Sequence, residues 1–400
     1  MSKSRDLYLQ KDWTAYPDMP RGALKWGRVE QTNTQIRLGM QVLTEWTFKD
    51  SPTIKAGDVL KEGDLIVVMP ANQIILLAPN LTERTARSEQ WSEHKKWQEF
   101  LVQIRLFFRE KRFQDVKTPA LVTCPGTEPS LEVFETEFKL GSQTTKYFLP
   151  TSPELNLKKL LVEGAERIFE IASVFRNGEK TSRHEPEFTM LEWYRSFTGL
   201  SSIKMDTIEL VEAMSDFLKV DRPVEVLTFS VAELFKKYCN YDLKPDTSME
   251  DLKKLAEQLQ IDVASATSID DYFYLIFIDK IENKWPQDRL VFVEKYPPYQ
   301  AALARIGSDG WAERFEFYWH GLELGNAFHE LNNPAVQRKR ALEDLEKKNV
   351  AGKTAVQLDD KFFTALEYGL PPSAGIAVGL ERLYMALNNK KEISELKRVY

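Results

Sequence analysis

Up to about residue 83 the apolar positions come in short runs, TQIRLGMQVL, GDLIVVM and QIILLAP, each broken by Gly, Pro or Asp. Runs of this length between turn formers predict β-strands, and AGDVLKEGDLIVV predicts two strands around a Gly-Asp turn. A small β-rich domain, a barrel or sandwich, is expected over 1–83. From about Ser92 the period lengthens. Trp97, Phe100, Leu101, Ile104, Phe107 and Phe108 recur at helical spacing, which predicts an amphipathic helix that has ended by Pro119 in KRFQDVKTPAL. Between about 145 and 200 strand patterns dominate. RIFEIASVF (167–175) predicts a buried strand, RNGEKTSRHEPE a polar loop, and FTMLEWYR (188–195) the second strand of a hairpin-like pair. Residues 200 to about 288 are mostly helical, with turns at Lys244–Pro245 and Trp285–Pro286, and are expected as an insertion. LVFVEKYPPY (290–299) and ERFEFYWHGLEL (313–324) return to strand. A charged helical stretch covers 334–350, and KFFTALEYGL (361–370) is a helix stopped by Gly369, Pro371 and Pro372. AGIAVGLERLYMAL (374–387) predicts a strand, a glycine turn and a helix. Strand runs flanked by helices predict an α+β domain over 84–400, built on an antiparallel sheet.

Composition narrows the class. Hydrophobic residues make up 43% and charged residues 28%, the mixture of a soluble chain with a packed core. No apolar run approaches twenty residues, so no membrane span is expected. The opening MSKSRDLYLQKDW lacks an apolar leader segment, which makes a cytoplasmic location the expectation. Cys124 and Cys239 form no metal or redox spacing, and no disulfide is expected between them. A net charge of −6 supplies no overall basic field for nucleic acid, so tRNA is not the expected partner.

There is no G-x-x-x-x-G-K-[ST], no G-x-G-x-x-G after a strand, no G-x-S-x-G and no zinc ligand set. What stands out is charge on strands that should be buried. Arg176 and Glu179 follow an apolar strand. Period-2 geometry puts Phe188, Met190, Glu192 and Tyr194 on one face. Glu316 and Glu323 sit seven apart, with Asn326 and Glu330 just beyond, and Arg382 begins the last helix. Unpaired buried charge is costly, so these groups need partners. A polyphosphate, a divalent ion and a cationic ligand would supply them: arginine matches phosphate oxygens in a fork, and paired carboxylates hold Mg²⁺ against phosphates. Taken singly, each residue has an ordinary explanation. Phe188 and Tyr194 suit a core, Glu154 and Glu179 a surface loop, Ser152 and Asn326 a cap, Gly379 a turn.

Together the segments resemble the class II aminoacyl-tRNA synthetases. FREKRFQDVKTPAL is similar to the family's first motif, VFRNGEKTSRHEPEFTMLEWYR to its second and GIAVGLERLYMAL to its third, while ERFEFYWHGLELGNAFHEL resembles the segment distinctive of the lysine subgroup. TCPGTEP, LPTSPELNLKKLL, HEPEFTMLEWYR and YPPYQAALA further resemble the short lysyl paralogues that join lysine or β-lysine to a lysine side chain of elongation factor P. The resemblance implies ATP and Mg²⁺ as cofactors, lysine or β-lysine as substrate, elongation factor P as acceptor, and a homodimer formed through the first motif.

The resemblance also implies roles. Arg176 and Arg382 would serve catalysis and grip the phosphates. Asn177, Gly178, Glu179, His184, Glu185, Leu324 and Gly379 would surround ATP, with Phe188 stacked on adenine. Glu316 and Glu323 would bind Mg²⁺, Glu323 also touching ATP. Ser152, Pro153, Glu154, Glu192, Tyr194, Asn326, Glu330 and Ala377 would line the amino-acid pocket, with Glu330 facing the distal ammonium. There are departures. Gly178 stands where the family has a glutamate, Glu185 where it has an asparagine, and Arg112 precedes Phe113 where the first motif has glycine. Ala377 replaces a glycine usual in tRNA-charging lysyl enzymes, and its extra methyl would favour a β-amino acid. Residues 1–83 suggest a degenerate OB-like barrel. The alternatives are a lysyl-tRNA synthetase with a reduced anticodon-binding domain, a non-catalytic sensor or binding protein, and an amide-forming enzyme acting on a small molecule.

Overall fold

The computed structural model describes residues 25–28, 36–38, 41–43, 47–48, 65–69, 73–78, 88–223, 225–264, 266–282 and 284–396. Chain contacts divide the molecule between Gln98 and Glu99, and each part is treated by itself.

In the N-terminal part the described residues form strands β1 (Lys25–Arg28), β2 (Ile36–Leu38), β3 (Gln41–Leu43), β4 (Thr47–Phe48), β5 (Leu65–Met69) and β6 (Gln73–Ala78). The described residues of the runs expected at 34–43, 63–69 and 73–79 are thus in strands. They make a four-stranded sheet, β1-β5-β6-β4, and a separate β2-β3 pair. The Gly-Asp turn and the barrel closure expected for 1–83 lie outside the described residues.

The C-terminal part is built on an eight-stranded sheet of order β12-β13-β14-β15-β16-β11-β10-β7. Its strands are β7 (Gln114–Asp115), β10 (Arg167–Phe175), β11 (Glu187–Ser196), β12 (Val226–Ser230), β13 (Leu290–Tyr296), β14 (Ala312–Trp319), β15 (Leu322–His329) and β16 (Ser373–Gly379). A separate hairpin pairs β8 (Glu135–Leu140) with β9 (Gln143–Phe148). The six central strands of the large sheet are antiparallel, as expected. One parallel pair closes each edge, β12 on β13 and β10 on β7.

Nine α-helices occur among the described residues: α1 (Ser88–Glu110), α2 (Glu154–Val162), α3 (Leu200–Leu218), α4 (Val231–Cys239), α5 (Met249–Gln258), α6 (Ile269–Ile276), α7 (Pro334–Val350), α8 (Asp360–Gly369) and α9 (Leu380–Leu387). Helix α1 ends where Arg112 takes φ 62°. A side chain in this left-handed region costs about 1 kcal/mol relative to glycine, which makes the missing first-motif glycine a local strain.

Sheet pleating separates two chemistries. The odd positions of β11 face α1: Trp193 meets Phe108 at 5.1 Å, and Phe108 stacks on Phe169 at 4.8 Å. All three are fully buried, each worth roughly 1.5–3 kcal/mol of transfer free energy. The even positions, Phe188, Met190, Glu192 and Tyr194, point the other way. There α2, α7 and α8 pack through Leu157, Leu161, Ala341, Phe362, Phe363 and Leu366, with Tyr194 in the same cluster. The 200–288 region, expected to be mostly helical, also contributes edge strand β12. Its helices α4 to α6 share a core with β13 and β14.

Two expectations change. Residues 145–200 hold helix α2 between the strands: the pattern Leu157, Leu160, Leu161 in LPTSPELNLKKLL is helical, and its brevity hid it. Residues 313–324 are two strands joined by His320–Gly321, at φ 51° and 69°. Positive φ at both central residues is the two-residue hairpin geometry that matches strand twist.

Candidate active site

A cleft of about 1830 Å³ opens over the even face of β11 and continues across β14 to β16. Its walls include Ser152, Glu154, Arg176, Glu179, His184, Glu185, Phe188, Glu316, Glu323, Leu324, Asn326, Ala377, Gly379 and Arg382. These residues span more than two hundred positions and converge because β16 lies between β15 and β11. Ala377 pairs with Glu192 on one side and Asn326 on the other, so its methyl stands at the centre of the sheet.

At one end, cations meet at the strand termini. Arg176 follows β10, and its backbone N–H donates to Pro186 O at 2.9 Å, which closes the base of the long loop. Its guanidinium lies 5.1 Å from the centre of the Phe188 ring, and its Nε has no hydrogen-bond partner in this structure. The ring that the resemblance assigns to adenine therefore carries Arg176. Arg382, in the first turn of α9, donates from Nη1 to Glu323 O at 3.1 Å and touches His184 Nε2 through Nη2. Burial and the Arg382 charge hold His184 below the usual imidazole range.

Glu316 and Glu323 lie on the two arms of the β14–β15 hairpin, where the register shifts between Phe317 and Tyr318. Glu316 is already engaged. Tyr296 and Tyr318 each donate a phenol hydrogen to its Oε2 at 2.6 Å, and Arg314 pairs with Oε1. Glu323 is more open, 42% exposed, with Arg382 Nη1 3.9 Å away. Enclosure by the cleft and the nearby Glu316 carboxylate push its carboxyl up to about 7. Two mutually repelling carboxylates fit a divalent cation that also takes oxygens from a phosphate. Among the described residues there is no group of three or more His, Cys, Asp or Glu side chains placed to hold a metal without such help.

The other end is closed. Glu192 is fully buried and Glu330 is 1% exposed. Ser152 Oγ donates to Glu192 Oε1 at 2.5 Å and Tyr194 OH to Oε2 at 3.1 Å. Burial and the Glu154 charge push Glu192 up to about 8. Glu330 is pushed up to about 8 by burial, against the pull of Lys158. Lys158, 2% exposed, lies 2.5 Å from both Glu154 Oε1 and Glu330 Oε2. Glu330 was expected to face a ligand ammonium; in this structure its cation is the protein's own.

Several expected residues lie off the cleft surface. Asn177 pins its loop to the 132–133 segment, its backbone N–H donating to Glu132 O at 3.0 Å. Gly178 takes φ 77°, a conformation that glycine adopts freely and glutamate does not, so the departure at this position is conformational. Pro153 starts α2. Glu192, Tyr194 and Glu330 form the floor.

Lys158 and Arg314 were not anticipated. Lys158 stands four residues after Glu154, the spacing of a helical ion pair, once α2 is recognised. Arg314 precedes Glu316 by two on one strand, hence on the same face. Its Nε donates to Asn326 Oδ1 at 3.0 Å and its Nη1 to Gln300 O at 2.6 Å. It thereby fixes the Asn326 amide against Glu316.

The family model described as tRNA synthetases class II (D, K and N) matches residues 83–398. An elongation factor P–(R)-β-lysine ligase of Haemophilus influenzae is 34% identical over 308 residues, 76% of this chain and 93% of its own length. One of Buchnera aphidicola subsp. Acyrthosiphon pisum is 36% identical over 299 residues, 73% of this chain and 90% of its own. A lysine–tRNA ligase of Buchnera aphidicola subsp. Cinara cedri is 35% identical over 311 residues, 73% of this chain and 60% of its own. No helix among the described residues is long and apolar enough to cross a membrane.

Proposed function

The chain belongs to the class II tRNA synthetases of the D, K and N type, and on that premise we propose that it activates lysine or β-lysine with ATP and transfers it to a lysine side chain of elongation factor P. The observation that carries this reading is the buried carboxylate cluster of Glu192 and Glu330 beneath a cleft that Glu154 and Arg176 both line. A ligand with two ammonium groups answers the buried carboxylates, and its carboxylate then lies toward Arg176.

Arg176 and Arg382 would bind the triphosphate and orient its α-phosphate for in-line attack by the amino-acid carboxylate. Pyrophosphate would leave, giving the aminoacyl adenylate. No protein nucleophile is needed, because positioning and preorganised positive charge lower the barrier. Glu316 and Glu323 would hold Mg²⁺, which supplies charge neutralisation at the phosphates when bound. The elongation factor P lysine amine would then attack the adenylate carbonyl, releasing AMP. The Ala377 methyl between Glu192 and Asn326 supports a preference for a β-amino acid. Val102 and Leu106, 45% and 43% exposed and one turn apart on α1, support a homodimer through that helix. A cytoplasmic location belongs to the same proposal.

The test is ATP–pyrophosphate exchange with α-lysine, (R)-β-lysine and (S)-β-lysine, followed by transfer to elongation factor P and, separately, to tRNA. Exchange with a lysine-type substrate and product on elongation factor P are expected. Product on tRNA would favour the lysine–tRNA ligase reading, which the 35% identical relative supports. No exchange with any of the three would sink both.

A further inference from the structure

We propose that Lys158 is a positioning residue for the amino acid: its ammonium clamps Glu154 to Glu330, and the clamp leaves the pocket short of two positive charges, which a lysine-like ligand supplies. The proposal deepens the amino-acid-activating reading above and rests on it.

The groups facing one another come from three elements. Helix α2 brings Glu154 and Lys158, β11 brings Glu192 and Tyr194, and the end of β15 brings Glu330. Glu128, whose carboxyl burial pushes up, feels the Glu154 charge and, more weakly, the opposing charges of Arg176 and Lys348. Within the pocket three carboxylates therefore face one ammonium. A lysine at 2% exposure is rare, because its charge loses hydration. Burial works against its ionised form, yet Glu154 and Glu330 outweigh that and raise it. It stays charged, and it is committed to two partners.

Neither buried oxygen of Glu330 has a hydrogen-bond partner in this structure, and only Oε2 lies against the Lys158 ammonium, at 2.5 Å. Oε1 is left bare, and an unmet buried acceptor is expensive. The bare oxygen, together with the Glu192 carboxylate, is where donors are missing. Lys158 fixes the position of that oxygen by holding its neighbour. Two ammonium groups from one ligand complete the set, and a monoamine leaves one carboxylate unanswered.

Burial pushes the Glu192 and Glu330 carboxyls up, toward their protonated forms when no ligand is bound. Binding a diammonium ligand ionises them, so protons must be released. Calorimetric titration of lysine into the full chain at pH 7, in two buffers of different ionisation enthalpy, reads that release directly. Proton release is expected; its absence overturns the proposal without needing any variant.

Lys158→Met should then weaken lysine binding by about a hundredfold, the usual scale for removing one member of a buried pair. It should also move the pH midpoint of lysine affinity to higher pH by about one unit, because Glu330 loses its cation. Lys158→Arg should keep the wild-type midpoint even if its bulk lowers affinity. ATP binding by each variant verifies the rest of the cleft. If Lys158→Met loses affinity with an unmoved midpoint, Lys158 only supports the fold and the clamp is wrong. If the unaltered chain binds no lysine-type ligand, the proposed function fails and the clamp with it. Normal binding and exchange with an unmoved midpoint would overturn the clamp alone.

Discussion

At the Arg176 end of the cleft the charged groups keep contact with water: Arg176, Glu179, Arg382 and Glu323 are all about a quarter exposed or more. At the Glu192 end Glu192, Lys158 and Glu330 are sealed under α2 and β15. Solvated groups can rearrange around a large, flexible, highly charged ligand, and water covers their charge meanwhile. Sealed groups have no such substitute. They are satisfied by one another, by protons or by a ligand of matching charge, so on the proposed function that end is where selectivity would be strict. Loss of a group should therefore mean different things at the two ends.

The largest expected effect is at the solvated end. Arg176→Ala should lower the maximal rate of ATP–pyrophosphate exchange by about 10³-fold, the scale of one lost transition-state contact, with a smaller change in the KM for lysine. An unchanged rate would remove Arg176 from the chemistry. Next in size, Glu192→Gln should raise the KM for lysine by about a hundredfold with little change in rate. It should also narrow the preference for lysine over norleucine. Equal effects on rate and KM would erase the division between the ends. The smallest effect is on stability. Glu192 and Glu330, pushed up to about 8 by burial, hold protons in the folded chain that the unfolded chain releases in the ordinary carboxyl range. Their contribution is thus full below about pH 4.5 and lost as pH rises through about 8. The melting temperature of the ligand-free chain should fall by several degrees between pH 5.5 and 8.5, and saturating lysine should flatten the decline. A ligand-free curve that is already flat would mean that the two carboxyls titrate normally.

Sequence and structure agree where periodicity is long or motifs are dense. The α+β class, helix α1, the β10–β11 pair and the even face of β11 were all legible in the alternation of residues. Less legible was anything set by a short element or by a partner far along the chain. Helix α2 has only nine residues, too few for a clear 3.6 period, and missing it concealed Lys158. The His320–Gly321 turn is flanked directly by Trp319 and Leu322 with no proline, asparagine or aspartate to mark it, so 313–324 read as one strand. The Lys158 contact of Glu330 was hidden too, because nothing in the order of residues shows that Lys158 lies 2.5 Å away. Arg314 passed unnoticed for a similar reason: an arginine beside Glu313 looks like an exposed edge until β13 and β15 flank its strand.

Strand β11 pairs with β16, Met190 opposite Gly379, and Lys348 holds the carbonyls of Glu128 and Leu131 from 220 and 217 residues further on. Both ties reach from the first third of the catalytic part to its last. During synthesis the cleft therefore has no centre until residue 379 has been made, and the carbonyls of Glu128 and Leu131 lack their lysine until α7 arrives. Contacts this distant in sequence slow folding. They also mean that a chain stopped before β16 holds no half-built cleft.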